Sequence, residues 1–106
     1  MAHYLVTASP RADLLDELED RLATNEFIAL RPFGRALSSS LRRARRLPNG
    51  QATWEEEDYC RPPLAQERTA VLDHYFEHLS VEPVGEGNGW ARIELLPAIF
   101  PNLAPP

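Results

Sequence analysis

His3-Tyr4-Leu5-Val6-Thr7-Ala8, followed by Ser9-Pro10, is the stretch on which the fold turns. Its β-branched and aromatic residues suit a pleated surface, and Ser9-Pro10 supplies an N-cap with proline at the first helical position. A strand is therefore expected to pass directly into a helix. From Arg11 to about Thr24, Leu14, Leu15, Leu18 and Leu22 fall within an arc of roughly 100° at helical spacing. Asp13, Asp16, Glu17 and Asp20 lie off that arc. Glu17 and Arg21 stand in the favourable i, i+4 order, and Asn25 is a left-handed stop.

Beyond Asn25 the chain reads as short alternating elements. Residues 27–31 (Phe-Ile-Ala-Leu-Arg) are expected as a second strand, ended by Pro32 and Gly34. Residues 35–47 place Leu37, Leu41, Ala44 and Leu47 on one side of a helical wheel and Arg42, Arg43, Arg45 and Arg46 on the other, which predicts a short basic helix. Pro48-Asn49-Gly50 closes it as a turn. Residues 51–59 (Gln-Ala-Thr-Trp-Glu-Glu-Glu-Asp-Tyr) resume as a strand, and the acidic half suits a solvated edge or the rim of a site. Arg61-Pro62-Pro63 opens a helix whose stripe of Leu64, Val71, Leu72, Tyr75, Phe76 and Leu79 runs to Ser80. Residues 81–84 and 90–95 read as strands joined by the hairpin Gly85-Glu86-Gly87-Asn88-Gly89.

Strand, helix, strand therefore occurs twice. This pattern resembles the ferredoxin-like architecture, an α+β βαββαβ split sandwich, here with an inserted short basic helix and an extra C-terminal hairpin strand. The likeness is to an architecture that hosts many unrelated activities, so function has to come from the site. The 106 residues make a single α+β domain, with residues 97–106 as a Pro-rich tail whose Ile99, Phe100 and Leu103 are apolar enough to pack on something.

Hydrophobic and charged fractions of 43% and 25% are those of an ordinary globular chain and exclude disorder and fibrous repeats. No apolar run reaches the roughly 18 to 20 residues of a membrane span, and the first residues lack a basic region before their apolar stretch. With Cys60 the only cysteine, a cytoplasmic location is expected, with no membrane partner. The net charge of −5 opposes nonspecific binding to nucleic acid unless basic groups are locally concentrated. They are concentrated: Arg31, Arg35, Arg42, Arg43, Arg45 and Arg46 lie between Phe27 and Trp54 with no acid among them.

Those six arginines are the candidate anion or partner site, because guanidinium forks pair bidentately with phosphates and carboxylates. Charge pairing with Glu55, Glu56, Glu57 and Asp58, within the chain or from a second copy, is the first expectation for them. An external acidic protein or phosphate-containing ligand is the second, and solvation the third. His74-Tyr75-Phe76-Glu77-His78 has the spacing of an inverted zinc-protease motif. Only 28 residues follow His78, too few for the distant third ligand and substrate chamber. The two histidines are therefore expected to flank the apolar stripe, and no metal or cofactor is expected. Cys60 reads as a small hydrophobe rather than a nucleophile. Arg68 falls in the middle of the apolar stripe, where it would snorkel or meet a buried acid.

The functional expectation is a small non-enzymatic binding or regulatory module acting through protein–protein interaction as a homodimer. An open sheet face carrying Trp54, Trp90, Ile93 and the tail would need cover. The alternatives are a phosphate or nucleic-acid binder using the arginine segment, with Trp54 or Phe33 as a stacking surface, and a small-molecule enzyme with a pocket at the sheet face.

Overall fold

The computed structural model of the chain describes residues 2–103. The opening stretch is strand β1 (Ala2–Pro10), and it overruns the expected helix start: Ser9 and Pro10 pair with Glu77 and Phe76 of the neighbouring strand, so Ser9 is not an N-cap and the first helical turn begins after Arg11 without a side-chain cap. A 3-10 turn (Ala12–Leu14) leads into α1 (Leu15–Ala23), which stops where Asn25 takes φ 60°. Next come α2 (Gly34–Arg42), β2 (Arg45–Arg46) and β3 (Ala52–Asp58). Residues 65–75 form α3, a helix of α-turns at Ala65–Glu67 and Asp73–Tyr75 around a π-turn at Arg68–Leu72. β4 (Phe76–Val84) and α4 (Asn88–Ile93) follow. The four strands form one antiparallel sheet in the order β2-β3-β1-β4, with helices packed on it, an α+β architecture.

Register decides what each face holds. Val6 lies opposite Trp54 and Ala8 opposite Ala52, so these residues share a face with Tyr4, Glu56 and Asp58. That face carries the core: Leu18 and Leu22 of α1, Leu37 and Leu41 of α2, and Val71, Leu72 and Tyr75 of α3 close over Trp54 and Phe76. On the opposite face α4 lies against β3 and β1, with Leu5 and Ile93 both buried there.

Four further sequence expectations are corrected. Residues 27–31 are not a strand. Glu26–Ala29 is a 3-10 turn in which Leu30 N–H donates to Phe27 O at 3.0 Å, and Phe27 alone plunges into the core beneath the Arg21 guanidinium, 4.6 Å from its ring centroid. The basic helix is shorter than residues 35–47: it ends at Arg42, and Arg45–Arg46 pair with Thr53 and Ala52 across the Pro48-Asn49-Gly50 turn. The second main helix ends at Tyr75, five residues before Ser80, and a β-bulge with His78 at φ 55° lets β4 rejoin β1. The extra C-terminal hairpin strand does not form, because residues 90–95 lie mostly within α4.

Glu55 explains that helix. Its buried carboxylate accepts from the backbone N–H groups of Gly87 at 2.8 Å, Gly89 at 2.7 Å and Trp90 at 3.1 Å. An anion at this point satisfies donors that an α-helix leaves orphaned at its start. Glu55→Ala is expected to cost about 3 kcal/mol, the scale of losing charged hydrogen bonds and stranding buried donors. Urea denaturation would measure that loss, and limited proteolysis between Gly85 and Gly89 should rise with it.

The tail packs as expected over the described residues. Arg46 N–H donates to Pro97 O at 2.7 Å and Ile99 N–H to Ala44 O at 2.9 Å, while Ile99 and Phe100 are buried and Leu103 packs against the core. Ala104, Pro105 and Pro106 lie outside the described residues. Of the residues expected to need cover, Trp54, Ile93, Ile99 and Phe100 are buried within the chain, while Trp90 and Leu103 are half-buried. No described helix is long and apolar enough to cross a membrane.

Candidate functional site

The arginine segment does not form one ridge, since its turn, helix and strand aim the side chains differently. Arg42 donates from Nη1 to Leu22 O at 2.7 Å, and Arg45 from Nη1 to Leu96 O at 2.8 Å, so both are half-buried and tie α1 and residue 96 to this segment. The Arg43 guanidinium stacks 4.1 Å from the Trp90 ring centroid. Arg46 is exposed on β2. Arg31 and Arg35, both exposed, flank a cavity of about 100 Å³ with Ile28, Leu30 and Pro32 at the start of α2.

The acidic strand does not neutralise them. Among the described residues none of the six arginines has a carboxylate within salt-bridge distance, whereas Arg11, Arg21, Arg68 and Arg92 are paired with Glu77, Glu26, Asp73 and Glu82. The acids of β3 are committed elsewhere: Glu55 to α4, Glu56 to Trp54 Nε1 at 2.8 Å, and Asp58 to the loop that follows it. Arg68 is exposed and pairs with Asp73 at 3.2 Å, so it is not the buried charge of α3. His74 and His78 lie on different elements, α3 and β4, which removes the helical spacing of the zinc-protease pattern.

The buried charge of α3 is Glu67, with 0% exposure and no hydrogen-bond partner for either carboxylate oxygen. It faces Glu56 and Asp58, which the register puts on the same side of β3. Glu56 is also buried, and its Oε2 has no partner. Asp58 Oδ2 accepts from Cys60 N–H at 3.1 Å and Leu64 N–H at 2.6 Å, which folds residues 59–64 back over the strand and sets Cys60 beside the acids. Ligand atoms of Asp58, Cys60 and Glu67 lie within 4.8 Å of one another. They edge a cavity of about 240 Å³ whose other wall is Pro32, Phe33 and Ala36.

Environment splits these acids. Burial first, then the neighbouring Glu67 and Asp58 charges, pushes Glu56 up to about 8 against the hydrogen bond from Trp54. Burial likewise lifts Glu67 to about 7. Asp58 goes the other way: burial opposes its charge, but the Leu64 N–H and the Glu67 carboxyl outweigh that and hold it below the ordinary carboxylate value. At Cys60 the Gln66 backbone favours the thiolate, yet burial and the Asp58 charge prevail and raise the thiol. The set is a close group of buried carboxyl groups beside a thiol, and a compact donor set for a cation.

Sequence reading missed Glu67 because helical periodicity puts Arg68, not Glu67, in the stripe. The π-turn adds one residue between Glu67 and Leu72 and rotates Arg68 outward. The available signal was the acid-rich strand running into Asp58-Tyr59-Cys60, whose charges are too many for a solvated edge alone. Comparison with known proteins gives no match for this chain, whether against family models, curated proteins or solved structures.

Proposed function

We propose that this chain is a small non-enzymatic binding module that takes a phosphate-bearing ligand between Arg31 and Arg35. Two exposed guanidinium groups without a carboxylate partner among the described residues, flanking a cavity of about 100 Å³, carry this reading. In an acidic chain, most arginines outside the segment find a carboxylate. Leaving these two open costs like-charge repulsion that a bound dianion would offset. The space is large enough for a phosphate group, and the remainder of the ligand would extend from it. The scaffold we infer is the ferredoxin-like one. Antiparallel order β2-β3-β1-β4, with helices between β1 and β2 and between β3 and β4, supports it.

Inorganic phosphate titrated into the protein at low ionic strength, followed by phosphorus NMR, tests the site. Saturable line broadening is expected, weakening as salt rises. Replacing both arginines (Arg31→Ala with Arg35→Ala) should lower affinity at least about tenfold, since each charge-assisted fork is worth 1.4 kcal/mol or more. Arg46→Ala, away from the cavity, should leave it unchanged. Equal binding by the double variant, or none by the parent chain, would remove the reading.

A further inference from the structure

We propose that Asp58, Cys60 and Glu67 form a site for one divalent metal ion of the zinc class, independent of the phosphate reading. Three observations meet there. The Asp58 and Glu67 carboxylates and the Cys60 thiol have ligand atoms within 4.8 Å of one another, close enough for side-chain rotation to bring them onto a single ion. Glu67 is fully buried, its carboxylate is part of this group, and neither oxygen has a hydrogen-bond partner. A buried carboxyl of this kind is stabilised by a proton or by a cation, and two free oxygens match the acceptor-only chemistry of a metal ligand. Finally, the Leu64 and Cys60 N–H groups hold Asp58 Oδ2, fixing the carboxylate orientation and leaving Oδ1 for the ion. Metal ligands are characteristically oriented by such outer hydrogen bonds.

The donor set selects the ion. Magnesium and calcium take oxygen ligands, whereas a thiolate with two carboxylates suits zinc. Two carboxylates and a thiolate give three negative charges against two positive, and on binding the thiol proton leaves together with any proton held by the Glu67 carboxyl. With three protein ligands, a fourth position opens toward the cavity edged by Phe33, Ala36 and Gln66, where water or a ligand atom would sit. Glu56, hydrogen-bonded to Trp54, stands behind Glu67 as an acid that the ion need not engage.

The test uses the whole chain, stripped with a chelator. Calorimetry with Zn²⁺ should give one equivalent per chain. Co²⁺ should give a near-ultraviolet sulfur-to-metal charge-transfer band, a signature of thiolate ligation that carboxylates alone do not produce. Cys60→Ser should abolish the band, and Glu67→Gln should weaken Zn²⁺ by more than about 100-fold, beyond the loss typical of outer-shell changes. Cys60 is a half-buried loop residue, so its variant keeps the test decisive should Glu67→Gln fail to fold. No band with Co²⁺, or Zn²⁺ binding unchanged in the variants, would overturn the site. The acids would then be holding protons instead.

Discussion

Gly34→Ala is expected to destroy the fold, at a cost above about 4 kcal/mol, the range reserved for a few severe mechanisms. The residue opens α2, where alanine would ordinarily improve a helix by roughly 1 kcal/mol over glycine. Here the sign reverses. A methyl at Gly34 would overlap the backbone carbonyl oxygen of Phe27 and press on Ile28, and a main-chain atom has no rotamer with which to escape. The contact exists because the 3-10 turn at Glu26–Ala29 lies directly under the start of α2, with Gly34 N–H donating to Leu30 O at 2.8 Å. Thermal unfolding followed by far-ultraviolet circular dichroism decides it. A Gly34→Ala protein melting within about 5 °C of the parent would contradict the packing described.

The second large effect is an inverted dependence on pH. In the metal-free chain Glu56 is raised to about 8 and Glu67 to about 7, from 4.5 in an unfolded chain. Between those values the folded state holds protons that the unfolded state has released, so unfolding free energy falls as pH climbs. The stability these acids contribute is complete below about pH 4.5 and is lost through about pH 8, on the order of several kcal/mol for the pair. Asp58 works oppositely, since its lowered value makes stability decline only under more acid conditions. Urea midpoints in the presence of a chelator should therefore drop steadily from about pH 5 to pH 8. Glu56→Gln, which keeps an acceptor for Trp54 Nε1, should flatten the curve. A midpoint that holds level or rises over that interval would refute the buried-acid arrangement.

How much of this was readable beforehand follows from the physics of each segment. β1, α1 and β3 announce themselves through sustained periodicity, and Asn25 and Pro48-Asn49-Gly50 through backbone preferences, so the α+β class and the two central strands are legible. Residues 27–31 fail because a short apolar run fits a strand or a buried turn equally well. Residues 90–95 alternate like a strand, yet a carboxylate 35 positions earlier in the chain, Glu55, captures Trp90 N–H and makes a helix. The arginine cluster is visible as composition, but its dispersal over turn, helix and strand is not. The acid group is the least legible part, because it depends on β3 register, an Asp58-anchored loop and a π-turn acting together.

The short ladder between residues 44–46 and 97–99 bears on self-association. With Arg45 bridged to Ala98 on the outer flank of β2, that margin has no row of vacant amides for a neighbouring molecule to zip onto. At the other margin β4 carries Glu77, Glu82 and Pro83, and its bulge bends the ladder. Both edge strands, β2 and β4, are thereby guarded against main-chain recruitment of another copy.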